Sequence, residues 1–163
     1  MLVPHAREWK RPSNTGRLAQ LCLKRAERHL FGARGQPFEP LRLAEEGAHH
    51  LVLHPGGEAV CITSWADEND APESAVRLLV PDGSWQQSTR IANRLMQIPG
   101  AIRVRVTPRA LVGLRRSPSP ERACTAEAIA SALDALGESQ AARELRSALA
   151  LMFERTRNAR GAP

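Results

Sequence analysis

A short acidic turn between two apolar segments carries the side chains best suited to chemistry. From Leu78 to Arg94 the chain reads LLVPDGSWQQSTRIANR, so that Asp82, Ser84 and Trp85 follow a strand pattern and precede a helix pattern. In α/β sheets, loops at the strand ends hold reactive groups close to the unpaired N–H groups that begin the next helix. We therefore take these three residues as candidates for a functional site. Pro-Asp-Gly is also a common turn sequence, and a plain turn is the alternative.

The charge of the chain favours a polyanionic partner. Its 163 residues contain 23 Lys and Arg against 17 Asp and Glu, which gives a formal charge of +6. Most of the excess is arginine, whose planar fork pairs with phosphate and stacks on bases. The alternative is that arginine reflects the base composition of the genome. The length fits one domain, which we place at residues 1–157, followed by a disordered tail at 158–163.

The cysteines and histidines do not form a metal or disulfide pattern. Cys22, Cys61 and Cys124 are far apart and include no C-x-x-C pair, which argues against a disulfide framework or a zinc site made from these residues alone. The five histidines have no metal-ligand spacing either, and we predict no metal. Without a run of about 20 apolar residues or a signal-peptide pattern, we expect a cytoplasmic protein without a membrane segment.

Apolar patterns predict an α/β fold with a largely parallel sheet flanked by helices. Val76 to Val80 is nearly all apolar, as in a parallel strand buried on both faces, and Leu51 to Leu53 gives another short strand. His29 to Phe31 is a further candidate strand, and Ala59 to Ile62 is another short apolar run. In Ile102 to Val106 apolar residues alternate with arginine, which predicts an edge strand with one solvated cationic face.

Four helices are expected around this sheet. Asn14 and Thr15 can cap the first, whose apolar positions are Leu18, Leu21 and Cys22. The others are residues 87–97, a helix that Thr125 caps and Gly137 closes, and residues 139–157. The acidic segment from Trp65 to Glu73 is expected to be an exposed loop.

Three separate segments together resemble one known family. They read HAREWKRPSNTGRL, VPDGSW and RRSPSPERACTAEA. In this order they are similar to the DTW-domain family, which is named for an Asp-x-Thr-Trp element and contains tRNA-uridine aminocarboxypropyltransferases related to SPOUT-type folds. The resemblance covers about Leu2 to Leu136 and implies a SPOUT-like architecture with a C-terminal trefoil knot.

The family motifs can be matched residue by residue. The Asp-x-Thr-Trp element corresponds to Asp82, Gly83, Ser84 and Trp85. The segments before and after it match at His5, Glu8, Asn14, Thr15, Gly16 and Leu18, and at Arg115, Ser117, Pro120, Thr125, Glu127 and Ala128.

The chain departs from the family pattern in several places. Ala6 stands where proline is common, His54 stands for a tyrosine, and Ser84 stands for the threonine of the central motif. Family members usually carry a cysteine cluster, spaced for a structural zinc, upstream of the segment that includes His5. The sequence begins after the position of this cluster, which leaves two alternatives: the cluster has been lost, or the start codon is assigned downstream of it.

The resemblance implies transfer of the 3-amino-3-carboxypropyl group of S-adenosylmethionine onto a uridine in tRNA. In this scheme Asp82 is the general base or positions the nucleobase, Ser84 hydrogen-bonds the cofactor or base, and Trp85 stacks on a ring. Structural alternatives are a helix cap for Ser84 and a core position for Trp85.

The same resemblance implies cofactor-binding residues, for which simpler explanations also exist. The candidates are Pro81, Gly83, Arg115, Ser117, Thr125 and Glu127. A solvated turn would equally account for Arg115 and Ser117, whereas Thr125 and Glu127 have sufficient explanations as a helix cap and a dipole partner.

Four further arginines form a candidate RNA-binding track. They are Arg90, Arg94, Arg103 and Arg105, which a helix and a neighbouring strand could place on one surface. An ordinary solvated face is the alternative. No protein partner is implied. Two other functions stay open for the chain as a whole: an S-adenosylmethionine-dependent RNA methyltransferase and a non-catalytic basic RNA-binding protein.

Overall fold

The structure is a computed structural model that describes residues 1–12, 14–69, 75–107 and 124–159. Within these ranges the strands form one parallel sheet in the order β1-β4-β2-β5-β3. The strands are β1 (Leu2–Pro4), β2 (His49–Leu53), β3 (Val60–Cys61), β4 (Val76–Asp82) and β5 (Ile102–Arg105). The helices are α1 (Ala6–Trp9), α2 (Gly16–Cys22), α3 (Ile62–Glu68), α4 (Trp85–Leu95), α5 (Thr125–Ala135) and α6 (Ser139–Ala159), and Pro40–Leu43 forms a short 3₁₀ helix. The predicted α/β class with helices around a parallel sheet is confirmed.

The register of the sheet brings β1 and β4 to the same edge. Leu2 pairs with Val80 and Pro4 pairs with Asp82, in parallel. Both strands therefore end at the same level, and the segments that leave them begin side by side. The acidic turn after β4 is in this way placed next to the start of α1.

Two cores cover the two faces of the sheet. Successive residues of β4 point to opposite faces, so that Leu79 packs with Ile91 and Leu95 of α4, and Val80 packs with the other core. That second core includes Ile129 of α5, together with buried leucines of α6. Coverage on both faces explains why β4 is nearly all apolar.

The prediction that the strand beginning at Ile102 lies at the sheet edge was wrong. Leu51 of β2 pairs with Ile102 on one side of β5, and Val60 of β3 pairs with Val104 on the other. The two-residue strand β3 is the edge instead. The alternation of apolar and arginine residues reports which face is solvated, and it does not report whether a strand has one neighbour or two.

The exposed loop expected from Trp65 to Glu73 is wrong for residues 65–68, which belong to helix α3, and 70–73 lie outside the described residues. Helix α3 runs from Ile62 to Glu68, and Ile62 and Trp65 are buried against the core. Their spacing of three residues places both side chains on one face of the helix, and the acidic residues lie on the other. We predicted a loop from the number of acidic residues, and that number does not reveal a short apolar face.

The remaining helices follow their predictions closely. Helix α4 and α5 lie where they were expected, a positive φ of 83° at Gly137 separates α5 from α6, and α6 extends to Ala159. Among the described residues no helix is long and apolar enough to cross a membrane.

The first part of the chain differs more from its predictions. Leu21 of α2 is 81% exposed, so its assignment to the apolar face was wrong. Helix α1 was not predicted. The segment around His29 to Phe31 contributes single bridges to the sheet, from Arg28 to Leu2 and from Phe31 to His5.

The knot and the tail stay predictions. The connection between β5 and α5, residues 108–123, lies outside the described residues, so the predicted C-terminal trefoil knot is not tested. Of the predicted tail, 158–159 belong to the last turn of α6 and 160–163 lie outside the described ranges. The assignment of residues 1–157 to a single domain also stays a prediction.

Replacing Trp65 with Ala tests the α3 packing. Trp65 is 6% exposed, and removing a buried indole leaves a cavity, so we expect a loss of about 3–5 kcal/mol in the free energy of unfolding. Urea denaturation followed by circular dichroism measures the loss. Trp85→Ala is the matched control, because Trp85 is 52% exposed and its removal should cost much less. Equal losses in the two variants would contradict the helix packing described.

Candidate functional site

The side chain of Asp82 joins two distant parts of the chain at the end of β4. The residue is 5% exposed. The amide Nδ2 of Asn14 donates a hydrogen bond to its Oδ2 at 2.7 Å, and the hydroxyl of Thr125 donates to its Oδ1 at 2.6 Å. Both donors are neutral, and among the described residues no basic side chain forms an ion pair with Asp82. The carboxylate is thus fixed in position without a cationic partner.

The residues Asn14, Thr15 and Gly16 each make a different contact with the site. Asn14 Oδ1 accepts a hydrogen bond from the Arg17 backbone N–H at 3.1 Å, which fixes the orientation of the amide that binds Asp82. Thr15 Oγ1 accepts from the Ala126 backbone N–H at 3.3 Å, so this hydroxyl caps α5. A carbon added at Gly16 would lie 2.8 Å from Asp82 Oδ2. The tripeptide therefore packs directly between β4 and the start of α5.

The turn after β4 is closed by the start of α1. The backbone N–H of His5 donates to the Asp82 carbonyl at 2.8 Å, and His5 Nδ1 accepts from the Arg7 N–H at 3.3 Å as the cap of α1. A carbon added at Gly83 would lie 3.0 Å from Gln87 and 3.5 Å from His5 Cβ. Pro81 is buried within β4. Pro81 and Gly83 thus shape the turn, and their predicted contact with a cofactor stays a prediction.

Ser84 is the N-cap of α4. Its backbone N–H donates to Gln87 Oε1 at 2.7 Å, and its hydroxyl accepts from the Gln87 N–H at 3.4 Å, which completes a capping box. The structural alternative for this residue is therefore confirmed. A substrate contact by the same hydroxyl stays a prediction.

Trp85 lies at the surface beside a buried histidine. Its side chain is 52% exposed, so the alternative that it belongs to the core was wrong. The ring of His54 lies 5.1 Å from the Trp85 ring, centroid to centroid. The Trp85 indole, three residues after Asp82, therefore packs against the His54 ring on one side. Much of its remaining surface is accessible to solvent.

Burial lowers the pKa of His54, and the Arg103 charge lowers it further. The neutral ring accepts a hydrogen bond at Nδ1 from the Gly56 N–H at 3.1 Å, so its own proton is at Nε2, 3.3 Å from Thr89 Oγ1. The Thr89 hydroxyl in turn donates to the Trp85 carbonyl at 2.9 Å. A neutral imidazole thus holds the first turn of α4, at a position where the family has tyrosine.

The structure brings Thr125 to Asp82 but turns Glu127 toward α6. Thr125 is the first residue of α5, and Cys124 is its N-cap, so the prediction that Thr125 caps this helix was wrong. Glu127 is buried, and its Oε1 lies 3.4 Å from Arg146 Nε and 3.4 Å from Ser131 Oγ. Among the described residues its Oε2 has no hydrogen-bond partner. Burial raises the pKa of Glu127, and the Arg146 charge opposes this shift.

The four arginines of the predicted track have different environments. Arg103 donates to the Gly56 carbonyl and to Asn93 Oδ1, each at 2.9 Å, and Arg105 donates to the Ala59 carbonyl at 3.2 Å. These two side chains support loops next to β5. Arg90 and Arg94 are exposed on α4. A role in RNA binding stays a prediction for all four.

Two predicted site residues, Arg115 and Ser117, lie outside the described residues. The sequence analysis missed the bonds that Asn14 and Thr15 make, because both were assigned to the cap of α2. The signal that could have found them was their place in an Asn-Thr-Gly motif shared with the family. A local cap does not require that whole tripeptide, whereas packing against a distant carboxylate does.

The fold and the site together define an α/β protein with a carboxylate held at the end of a parallel strand. The model of the DTW domain matches residues 1–157, and the chain belongs to this family. Comparison with curated proteins and with solved structures gives no significant match. Membership places the chain in a family of tRNA-modifying enzymes and gives it an RNA-related role.

Replacing Thr125 with Val tests the bond to Asp82. Valine keeps the branched shape but removes the only O–H of the side chain, so one buried carboxylate oxygen loses its donor. We expect a loss of about 1–3 kcal/mol in unfolding free energy, measured by denaturant titration. Thr125→Ser keeps the hydroxyl and should lose clearly less. Equal unfolding free energies for the two variants would show that the hydrogen bond from the Thr125 hydroxyl does not stabilise the fold.

Replacing Glu127 with Gln tests the buried carboxylate. Because its pKa is raised on folding, the folded protein binds more protons than the unfolded chain between the unfolded and the folded pKa, and its stability falls as pH rises through that window. Glutamine has no proton to lose. The unfolding free energy of the variant minus that of the wild type should therefore increase with pH across the window and level off above it. Urea titrations from pH 4 to 8 measure this difference, and a pH-independent difference would contradict the assignment.

Proposed function

We propose that the protein transfers the 3-amino-3-carboxypropyl group of S-adenosylmethionine to a ring nitrogen of a uridine in tRNA. Membership in the DTW-domain family supports a tRNA substrate. The observation that carries the proposal is the arrangement at the end of β4, where the fixed carboxylate of Asp82 is followed by an accessible indole at Trp85. A nucleotide needs one group that orients its polar edge and one that stacks on its ring.

The described residues fit the charge of this donor. S-adenosylmethionine carries a sulfonium and an ammonium group, and Asp82 accepts hydrogen bonds from neutral donors alone among the described residues. Its negative charge is thus available to attract a cation. When bound, the donor supplies an activated carbon whose bond to sulfur breaks with release of 5′-methylthioadenosine. Pro81, Gly83 and Thr125 would shape its site, and Arg115 and Ser117 are candidates for its carboxylate.

Asp82 is better placed to orient the uridine than to serve as a mobile base. Each of its oxygens already accepts one short hydrogen bond, and each keeps a further lone pair. A lone pair directed at the imide N–H of uracil would hold the ring nitrogen in line with the reacting carbon, which is the main contribution an enzyme makes when the leaving group is already activated. As the nitrogen–carbon bond forms and the carbon–sulfur bond breaks, the imide proton would pass along this hydrogen bond to Asp82.

Trp85 and α4 complete this proposal. The indole is supported by His54 and accessible on much of its surface, so it can stack on adenine or uracil and keep water away from the reacting atoms. Such stacking is worth about 1–3 kcal/mol per base. Exposed Arg90 and Arg94 on the same helix are candidates for phosphate contacts.

Label transfer tests the reaction. Donor labelled in the carboxyl carbon and donor labelled in the methyl carbon are each incubated with tRNA and the protein, and the label in RNA is counted. The proposal requires label from the carboxyl carbon. Label from the methyl carbon alone would indicate a methyltransferase, and label from neither would leave a non-catalytic RNA-binding protein.

Asp82→Asn tests the role of the carboxylate in this assay. Asparagine keeps the shape of the side chain but removes its charge and one acceptor, so we expect transfer to fall by at least a hundredfold while tRNA is still bound. Arg143→Ala, an exposed position on α6, is the control and should retain activity. Near-normal turnover by Asp82→Asn would remove Asp82 from the mechanism.

A further inference from the structure

A tryptophan near the start of the chain contacts two arginines. The guanidinium carbon of Arg28 is 5.0 Å from the centroid of the Trp9 ring, and that of Arg17 is 6.0 Å from it. The three residues come from different segments: Trp9 ends α1, Arg17 is in the first turn of α2, and Arg28 follows α2. The fold therefore assembles this group from three neighbouring segments of the chain.

Two further basic residues lie close to Trp9 along the chain. Arg7 precedes it by two residues and Lys10 follows it directly, and both are exposed, as are Arg17 and Arg28. We call Arg7, Trp9, Lys10, Arg17 and Arg28 the Trp9 patch. Within the parts of the chain that the structure describes, none of its four basic side chains forms an ion pair. Nearby Arg11, by contrast, pairs with Glu8 at 3.1 Å.

Both guanidinium groups make cation–π contacts with one indole, and a bound anion would interact favourably with both charges. A stacked guanidinium still has its N–H edge free to donate two parallel hydrogen bonds, a geometry that suits phosphate oxygens. The arrangement is therefore suited to two neighbouring phosphates of a nucleic acid.

The Trp9 patch is connected to the candidate site through Asn14. Its amide Nδ2 donates to Asp82 Oδ2 at 2.7 Å and to the Glu8 carbonyl at 3.4 Å, while its Oδ1 accepts from the Arg17 N–H at 3.1 Å. Glu8 directly precedes Trp9. One side chain thus fixes the position of α1 and of α2 relative to Asp82.

We propose that the Trp9 patch is the surface on which RNA docks, with backbone phosphates on Arg17 and Arg28 and the target nucleotide reaching the turn at Asp82. The identity of this RNA as tRNA rests on the proposed function. Docking itself requires no transfer chemistry. The patch is better suited to this contact than Arg103, whose Nη1 and Nη2 already donate to the Gly56 carbonyl and to Asn93 Oδ1.

Salt-dependent binding tests the proposal. Affinity of unmodified tRNA is measured by fluorescence anisotropy between 50 and 300 mM KCl for the wild type and for the double variant Arg17→Gln/Arg28→Gln. Each lost phosphate contact lowers the slope of log affinity against log salt by about 0.7–0.9, so the double variant should lose about 1.4–1.8. We also expect at least a tenfold loss of affinity at the lowest salt concentration. Circular dichroism and thermal unfolding verify that the variant folds.

A double variant with the same change of charge is the control. Arg143 and Arg157 on α6 are exposed and outside the Trp9 patch, so Arg143→Gln/Arg157→Gln should keep a slope close to that of the wild type. Equal slopes in the two double variants would overturn the proposal, because only total charge would then matter. Competition by polyglutamate as effective as that by tRNA would also overturn it in favour of a surface for acidic proteins.

The design separates this proposal from the proposed function. Binding is measured without S-adenosylmethionine, and the salt series is repeated with Asp82→Asn. A wild-type protein that binds tRNA through the Trp9 patch but transfers no label would contradict the proposed reaction and leave the docking surface supported. Label transfer unaffected by Arg17→Gln/Arg28→Gln at limiting tRNA would contradict the docking surface and leave the reaction supported.

Discussion

The carboxylate of Asp82 is the point on which the geometry of the site depends. Its two short bonds, from Asn14 and from Thr125, connect the end of β4 to segments 68 and 43 residues away. Hydrogen bonds to a charged group contribute about 1.5–3 kcal/mol each, and a buried oxygen left without a donor costs a similar amount. These two bonds therefore decide which loops meet at the end of the sheet. Gly16 is part of the same constraint, because any larger residue would occupy the position of the carboxylate.

Much of the fold could be predicted from the sequence, because the pattern of apolar residues reports burial directly. The range Val76 to Val80 is covered by a core on each face of the sheet and was recognisable as a parallel strand, and α4 and α6 show the expected helical spacing. The position of β5 in the sheet was not predictable in this way. A strand with arginine on one face looks the same whether its neighbour is solvent or a two-residue strand such as β3. Helix α3 was similarly missed, because its sequence is rich in acidic residues and its buried face consists of Ile62 and Trp65 alone.

The sequence indicated which residues belong to the site, but it did not indicate which of them form hydrogen bonds with each other. A carboxylate after a buried strand pointed to Asp82, and the family motif pointed to Asn14, Thr15 and Thr125. Local rules, however, explain Asn14 and Thr15 as a cap of α2, and a rule limited to neighbouring residues cannot reveal a partner across the fold. Trp85 shows the converse case: its sequence context is equally compatible with a core or a surface position, and only the packing of His54 beneath it decides.

The first turn of α5 contacts two different parts of the structure. Thr125 faces Asp82, while Glu127, two residues later, faces Arg146 of α6, which also pairs with Asp134 at 2.6 Å. Because a helix is rigid over such a short distance, the ion pairs with α6 fix the rotation of α5 and hence the direction of the Thr125 hydroxyl. The geometry at the end of β4 thus depends on the contacts between α5 and α6. The burial of Glu127 is unfavourable for its charged form, and the Arg146 charge together with the hydrogen bonds from Arg146 and Ser131 offsets part of that cost.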